Sequence, residues 1–221
     1  MALQKINNIS SPEEINSIAY ADIAKLGGID VVHAGGIDLT TFTEDGAGIT
    51  VVDSDKVEVA SMARSASAGL YKDMGAGYVS GDFEFQWYFY ITSGASTSVV
   101  IYFALSEAFY LTRADRDTAN DGLETFFQVG TGIGLTDFKS PSSDLISIVS
   151  GPPFGWWVTL TRVGTLVTYN IYTDSGRTSL AGTNTLTQSS AYSYRYLYAI
   201  SSLDTTGAAV QTGYIRDIVK I

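Results

Sequence analysis

The sequence predicts an all-β protein, a two-sheet antiparallel jelly-roll sandwich behind a short N-terminal arm. Three observations point there. From Ile37 onward about a dozen segments have strand character and few have helical periodicity. Turn sequences such as Asp45-Gly46, Ser93-Gly94, Asp121-Gly122 and Asp174-Ser175-Gly176 separate them at short intervals. The third is Gly155–Tyr172, which reads as a hairpin turning at Val163-Gly164-Thr165. Trp156, Val158 and Leu160 share a face of its first strand; Val167, Tyr169 and Ile171 share a face of the second. A lone hairpin is marginal in water, so these apolar faces require a second sheet.

Residues 1–35 read differently. Ser11 can cap a helix, with Pro12 at its first position and Glu14 completing a capping box; Ile15, Ile18, Ala19, Ile23 and Leu26 follow at near-helical spacing, and Gly27-Gly28 is a stop. A short helix or helical turn is expected. Its stripe is too small for a core, so the arm must dock on its own domain or on a partner, and Ile6, Ile9, Ile15, Ile18, Ile23 and Leu26 are the anchoring candidates.

Residues 36–221 contain no long linker and read as one domain. The expected strands include 49–52, 56–60, 68–72, 82–92, 98–105, 109–113, 122–129, 132–137, 145–149, 178–181, 192–200 and 213–221, besides the hairpin. In 82–92, Phe83, Phe85, Trp87, Phe89 and Ile91 share one face, opposite Glu84, Gln86, Tyr88 and Tyr90. In 192–200, Tyr192, Tyr194, Tyr196 and Tyr198 share a face, opposite Ser193, Arg195, Leu197 and Ala199.

Composition narrows function. Hydrophobic residues make up 45% of the chain, enough for a substantial core, while only 16% of residues are charged, so the surface suits neutral partners such as sugars or further copies of the chain. Thirteen basic against 23 acidic residues give a net charge of −10, with no basic patch to hold phosphates, which disfavours nucleic acid. The absence of cysteine removes disulfides and thiolate metal sites. No stretch has the apolar run of a secretory signal or a membrane span, so neither cleavable export nor membrane insertion is expected.

Two resemblances add to this reading. Ile6-Asn7-Asn8-Ile9 and Ile18-Ala19-Tyr20-Ala21-Asp22-Ile23-Ala24-Lys25-Leu26-Gly27-Gly28-Ile29 resemble phrases at the particle-proximal end of tailed-phage structural proteins, with Gly27-Gly28 in place of Asn-Gly and Asp22 in place of Asn. The main domain resembles the concanavalin A-like lectin/glucanase superfamily, most nearly its laminin-G-like branch. Gly81-Asp82-Phe83-Glu84-Phe85, the hairpin Trp157 to Tyr169 with Arg162 and Gly164, and the closing Gly213-Tyr214-Ile215-Arg216-Asp217-Ile218-Val219-Lys220-Ile221 carry it, in the superfamily's order. These are mainly core and turn positions, so Trp156, Trp157, Arg162 and Gly164 are expected to be scaffold. The resemblances imply a virion protein made in the host cytoplasm: a capsid decoration, head fibre, or tail or baseplate adhesin. It would contact other virion proteins through its arm and form homo-oligomers.

Glucanases of this architecture carry two carboxylates about 5 Å apart, usually as Glu-x-Asp-x-x-Glu on one strand. Here that strand offers Asp82 and Glu84 followed by Gln86 and Tyr88, so no enzyme is expected. The single histidine, His33, has no catalytic partners in sequence, and Gly130-Thr131-Gly132-Ile133-Gly134 lacks the Lys-Ser/Thr of a nucleotide loop and reads as a tight hairpin. Asp115, Asp117, Asn120 and Asp121 place four oxygen-bearing side chains in one segment, which reads first as a solvated acidic loop and alternatively as a Ca2+ site. Gln86, Tyr88, Tyr90, Tyr192, Tyr194, Arg195 and Tyr196 are the candidates for subunit contact or for stacking a host-surface glycan, with subunit contact preferred. A free-standing carbohydrate-binding module is the alternative function, and a glycoside hydrolase the third.

Overall fold

The hairpin forms as read, with Val163 paired to Leu166 across Gly164, whose φ is +61°. Positive φ is what makes glycine the economical residue there. The structure, a computed structural model, describes residues 25–26, 29–30, 36–147 and 152–221. The chain divides into two compact units, Met1–Gly36 and Ile37–Ile221.

In the first unit, β1 (Lys25–Leu26) pairs antiparallel with β2 (Ile29–Asp30), Leu26 opposite Ile29. This corrects the expected helix at its end: Gly-Gly between apolar residues is as good a hairpin sequence as a helix stop. Ile6, Ile9, Ile15, Ile18, Ile23 and the rest of the expected helix lie outside the described residues, as does His33.

The second unit is a sandwich of two seven-stranded antiparallel sheets. Sheet I contains β4 (Ile49–Val51), β5 (Lys56–Ala63), β7 (Phe83–Gly94), β12 (Phe154–Val163), β13 (Leu166–Tyr172), β14 (Leu180–Thr187) and β16 (Val210–Lys220), in the order β14-β13-β12-β7-β16-β5-β4. Sheet II contains β3 (Thr43–Asp45), β6 (Gly69–Asp73), β8 (Val99–Ser106), β9 (Leu123–Gln128), β10 (Gly132–Asp137), β11 (Ser142–Ser147) and β15 (Tyr196–Ser202), in the order β11-β10-β9-β8-β15-β6-β3. The last strand, β16, lies between β7 and the early β5, tying the chain's end to its first long strands.

The alternation of β7 translates directly into burial. Phe83, Phe85, Trp87, Phe89 and Ile91 are buried while Glu84, Gln86, Tyr88 and Tyr90 are half-buried on the other face. Trp87 stacks on Phe103 of sheet II at 4.5 Å between ring centres, and Phe89 stacks on Tyr102 at 5.4 Å. Such pairs add to the area they bury by about 0.5–1.5 kcal/mol each.

Two sequence motifs are also joined physically. The fully buried Arg162 of β12 donates through Nε to the Gly81 carbonyl at 2.9 Å, and the Gly164 amide donates to Asp82 Oδ1 at 2.7 Å. Arg162 also reaches Gln188 and the Tyr192 carbonyl, and burial lowers its pKa. Asp82 therefore holds the hairpin turn.

Two other expectations are corrected. Residues 109–113 do not form a strand: the chain turns into α1 (Arg113–Ala119), whose N-cap Thr112 and Asp115 form a reciprocal capping box, with Asn120 left-handed at the C-cap. Thr112-Arg113-Ala114-Asp115 carries that cap in sequence, but Asp in place of Glu or Gln weakens the signal. The four tyrosines of 192–198 do not share a face either. β15 starts only at Tyr196; Tyr194, bridged to Val79 ahead of it, belongs to the inter-sheet core, while Tyr198 belongs to a second apolar cluster.

Candidate functional site

The outer face of sheet I carries a continuous row of large side chains set by strand register. Tyr172, Trp157, Tyr88, Arg216 and Lys56 are successive cross-strand partners on β13, β12, β7, β16 and β5; beside them Gly155, Tyr90, Tyr214 and Glu58 form the next row. Side chains directly opposite one another across a sheet must touch, and here they do. Tyr88 lies 4.7 Å from Trp157 and 6.0 Å from Tyr214, and Tyr214 stacks on Tyr90 at 5.4 Å. Arg216 sits over Tyr88 at 4.9 Å and over Trp157 at 5.6 Å, Arg177 over Trp157 at 5.5 Å, and Lys56 over Tyr214 at 4.6 Å.

These groups are half-buried, apart from the exposed Glu58. Burial, followed by the neighbouring Tyr214, pushes the Tyr88 phenol up to about 12, partly opposed by Arg216. Tyr88 is thus a neutral hydroxyl at any ordinary pH. Gly155 leaves room for it, since a Cβ there would stand 2.3 Å from the Tyr88 hydroxyl and 2.8 Å from the Phe89 carbonyl. The cations are balanced locally: Lys56 pairs with Glu58 at 2.5 Å, Arg216 lies 3.6 Å from Asp217, and Gln86 donates to Glu84 at 2.6 Å. The result is an aromatic, hydrogen-bonding platform without strong net charge, a chemistry suited to pyranose rings.

The predicted contact residues separate into three places. Gln86, Tyr88 and Tyr90 belong to this platform. Tyr192, Arg195 and Tyr196 lie elsewhere: Tyr192 bonds to Ser140 and Ser189, Arg195 clamps Asp73 through Nε at 2.8 Å and Nη2 at 2.5 Å, and Tyr196, at the start of β15, stands beside Phe109 on the outer face of sheet II. Tyr194 is corrected from a surface contact to a core residue, 1% exposed, its hydroxyl accepting from Gln188 at 2.7 Å, with burial raising its pKa. Trp157, taken as scaffold from its place in the hairpin motif, is corrected to the platform. Trp157, Tyr214, Arg216 and Arg177 were missed as site residues. Alternation within β12 and β16 marks Trp157, Tyr214 and Arg216 as facing away from the core, but that both strands flank β7 is a property of sheet order.

The acidic segment is not a gathered ligand set. Asp115 accepts from the Thr112 amide and hydroxyl, Asp121 Oδ2 accepts from the Glu107 and Ala108 amides at 3.0 Å, and Asn120 closes the helix. The expected acidic loop is therefore a capped helix with two carboxylates committed to backbone. Among the described residues no group of three or more His, Cys, Asp or Glu is placed to hold a metal ion, and no helix is long and apolar enough to cross a membrane.

No protein-family model matches the chain, and no curated protein matches it. Solved structures do. The sandwich is similar to the VIP36 exoplasmic/lumenal domain in its Ca2+/Man3GlcNAc-bound form, with a TM-score of 0.59, 10% identity, and coverage of 84% of this chain and 86% of that one. It is similar to lectin I-B4 of Griffonia simplicifolia in a metal-free form, with a TM-score of 0.51, 12% identity, and coverage of 82% and 93%. A Trypanosoma rangeli sialidase also shares it, with a TM-score of 0.51 and 11% identity over 81% of this chain and 27% of the enzyme. The fold is thus the two-sheet lectin-type, concanavalin A-like sandwich, an architecture found in both lectins and an enzyme.

Proposed function

We propose that the chain is a non-catalytic, glycan-binding structural protein of a tailed-phage particle, anchored by its N-terminal arm and displaying the sandwich for host-surface attachment. The observation that carries the binding part is the platform of Tyr88, Tyr90, Trp157 and Tyr214, aromatic, locally charge-balanced and flanked by Gln86 and Arg216. Binding rather than hydrolysis is favoured because Asp82 is committed to the hairpin turn and Glu84 to Gln86. The virion part rests on the phage-like phrases around Ile6–Ile9 and Ile18–Ile29.

Two experiments test the two parts. On a glycan array the intact chain should bind at least one neutral glycan, with Trp157→Ala reducing the signal about tenfold or more through lost ring stacking. An array on which the wild type and Trp157→Ala are equally silent removes the glycan reading. Antibody labelling of purified particles under the electron microscope should decorate them, and lose the decoration when residues 1–35 are deleted. Particles bare of label beside abundant soluble protein would leave a free-standing carbohydrate-binding module instead.

A further inference from the structure

Sheet II carries a separate cleft of about 350 Å³ between α1 and the β10–β11 hairpin, lined by Arg113, Asp117, Asn120, Thr136, Phe138 and Ser142 among others. Its polar groups are incompletely used. Thr136 is 7% exposed, and its Oγ1 has no hydrogen-bond partner; the buried Oγ of Ser142 has none either. Buried hydroxyls are seldom left unpaired in a native protein, and an orphan calls for a water or a ligand. The Arg113 guanidinium is fixed at the cleft wall, Nε donating to Glu124 at 2.5 Å and its carbon lying 5.2 Å from the Phe126 ring and 5.6 Å from that of Phe138. The charged residues lining the cleft are Arg113, Asp117 and Asp137; Arg113 is paired with Glu124, and Asp137 accepts from Gln188 and the Lys139 amide, so the lining offers no free cation to an anionic ligand.

We propose that this cleft is a second saccharide site, taking one or two rings of an uncharged, hydroxyl-rich sugar, with Thr136 and Ser142 as hydrogen-bonding residues. It shares its ligand class with the glycan reading above but none of the platform's residues. Three hydroxyl side chains, an amide, two carboxylates and a guanidinium line the cleft and offer both donors and acceptors to ligand hydroxyls, and the volume falls in the range of small-ligand sites.

The test is an amide NMR titration of the intact chain with the methyl glycosides of glucose, galactose, mannose and N-acetylglucosamine. At least one should shift the resonances of residues 136 and 142 saturably. Thr136→Val and Ser142→Ala should each weaken that binding about five- to tenfold with the melting temperature kept, while Trp157→Ala leaves it unchanged. If none of the four moves residues 136 and 142, the hydroxyls serve water alone and the inference falls, even where the array still shows Trp157-dependent binding. Tighter binding of galacturonic acid than of galactose would overturn the uncharged ligand, and full binding by both hydroxyl variants would overturn the residues assigned.

Discussion

The outer faces of the two sheets carry similar residues and meet opposite fates. On sheet I the row Trp157, Tyr88 and Tyr214 stays half-open, shielded among the described residues by its own rings and by arginine and lysine stems. On sheet II, Val99, Ile101, Ala104, Tyr198 and Leu203 are fully or almost fully buried, with Tyr71, Phe126 and Tyr196 packed against them. A strap from Glu107 to Asp121, including α1, is fastened to that sheet by specific bonds. The Tyr110 amide donates to the Tyr198 hydroxyl at 2.9 Å, Arg116 donates to Glu124 and Ser201, and the Ala114 amide donates to the Leu203 carbonyl. What distinguishes an open aromatic face from a second core here is whether a neighbouring segment bears the capped helix and ionic pins needed to close over it.

Removing the main pin should give the largest effect. Glu124 and Arg116 are both fully buried, and Glu124 also holds Arg113. Glu124→Ala leaves two arginines without their carboxylate and should cost about 3–5 kcal/mol in urea unfolding, the usual result of breaking a buried pair. The exposed cluster beneath should then bind a hydrophobic dye before global unfolding. A loss below about 1 kcal/mol, within the range of an exposed ion pair, would mean that the strap is held by its apolar contacts and not by the pin.

Gly155→Ala attacks the open face instead. Its Cβ would meet both the movable Tyr88 hydroxyl and the immovable Phe89 carbonyl of β7, so tyrosine rearrangement alone cannot relieve it. A destabilisation of about 1–3 kcal/mol is expected from this overpacking, accompanied by a change in Trp157 fluorescence as Tyr88 is displaced. Unchanged fluorescence and stability would show that Tyr88 is not seated by Gly155.

The sequence made the sandwich legible because β7 and β13 bury one alternating face each, β12 does so except at the buried Thr159, and Gly164 marks the turn between the last two. It also exposed Gln86, Tyr88 and Tyr90 as an outer face. It did not show that Trp157 and Tyr214 flank them, since β12 and β16 are far apart in the chain and only sheet order makes them neighbours of β7. The 192–198 tyrosines misled for a different reason: period-two reading assumes an unbroken strand, whereas β15 starts at Tyr196, leaving Tyr194 on the core side. The strap was misread because Tyr110 and Leu111 suggest a strand until Thr112 and Asp115 cap the helix that follows.

Trp157→Ala should have the smaller stability effect that an open face predicts, about 1 kcal/mol or less by analogy with surface substitutions, while reducing array binding about tenfold or more. If it instead costs as much as Glu124→Ala, the platform is a structural cluster and the contrast between the two faces disappears.

The subtlest contrast is between an open and a covered carboxylate on sheet II. The exposed Asp73 is held at about 2 by its bonds from Arg195 and then from the Gly75 amide. Its stabilising contribution is present above its ordinary value of 3.8 and is lost as the pH falls through about 2. Asp137, fully buried, is pushed up from 3.8 by burial, against bonds from Gln188 and the Lys139 and Ser140 amides. Here the folded state holds the proton more tightly, so the contribution has the opposite sign: stability declines as the pH rises from 3.8 through the raised value. Carboxyl-carbon NMR should therefore find Asp73 near 2, moving back towards 3.8 in Arg195→Ala, and Asp137 above 3.8. Asp137→Asn should remove the decline above 3.8 while leaving the acid limb set by Asp73. Melting curves of Asp137→Asn and wild type that run parallel through both intervals would show that burial exerts no electrostatic cost on this carboxylate.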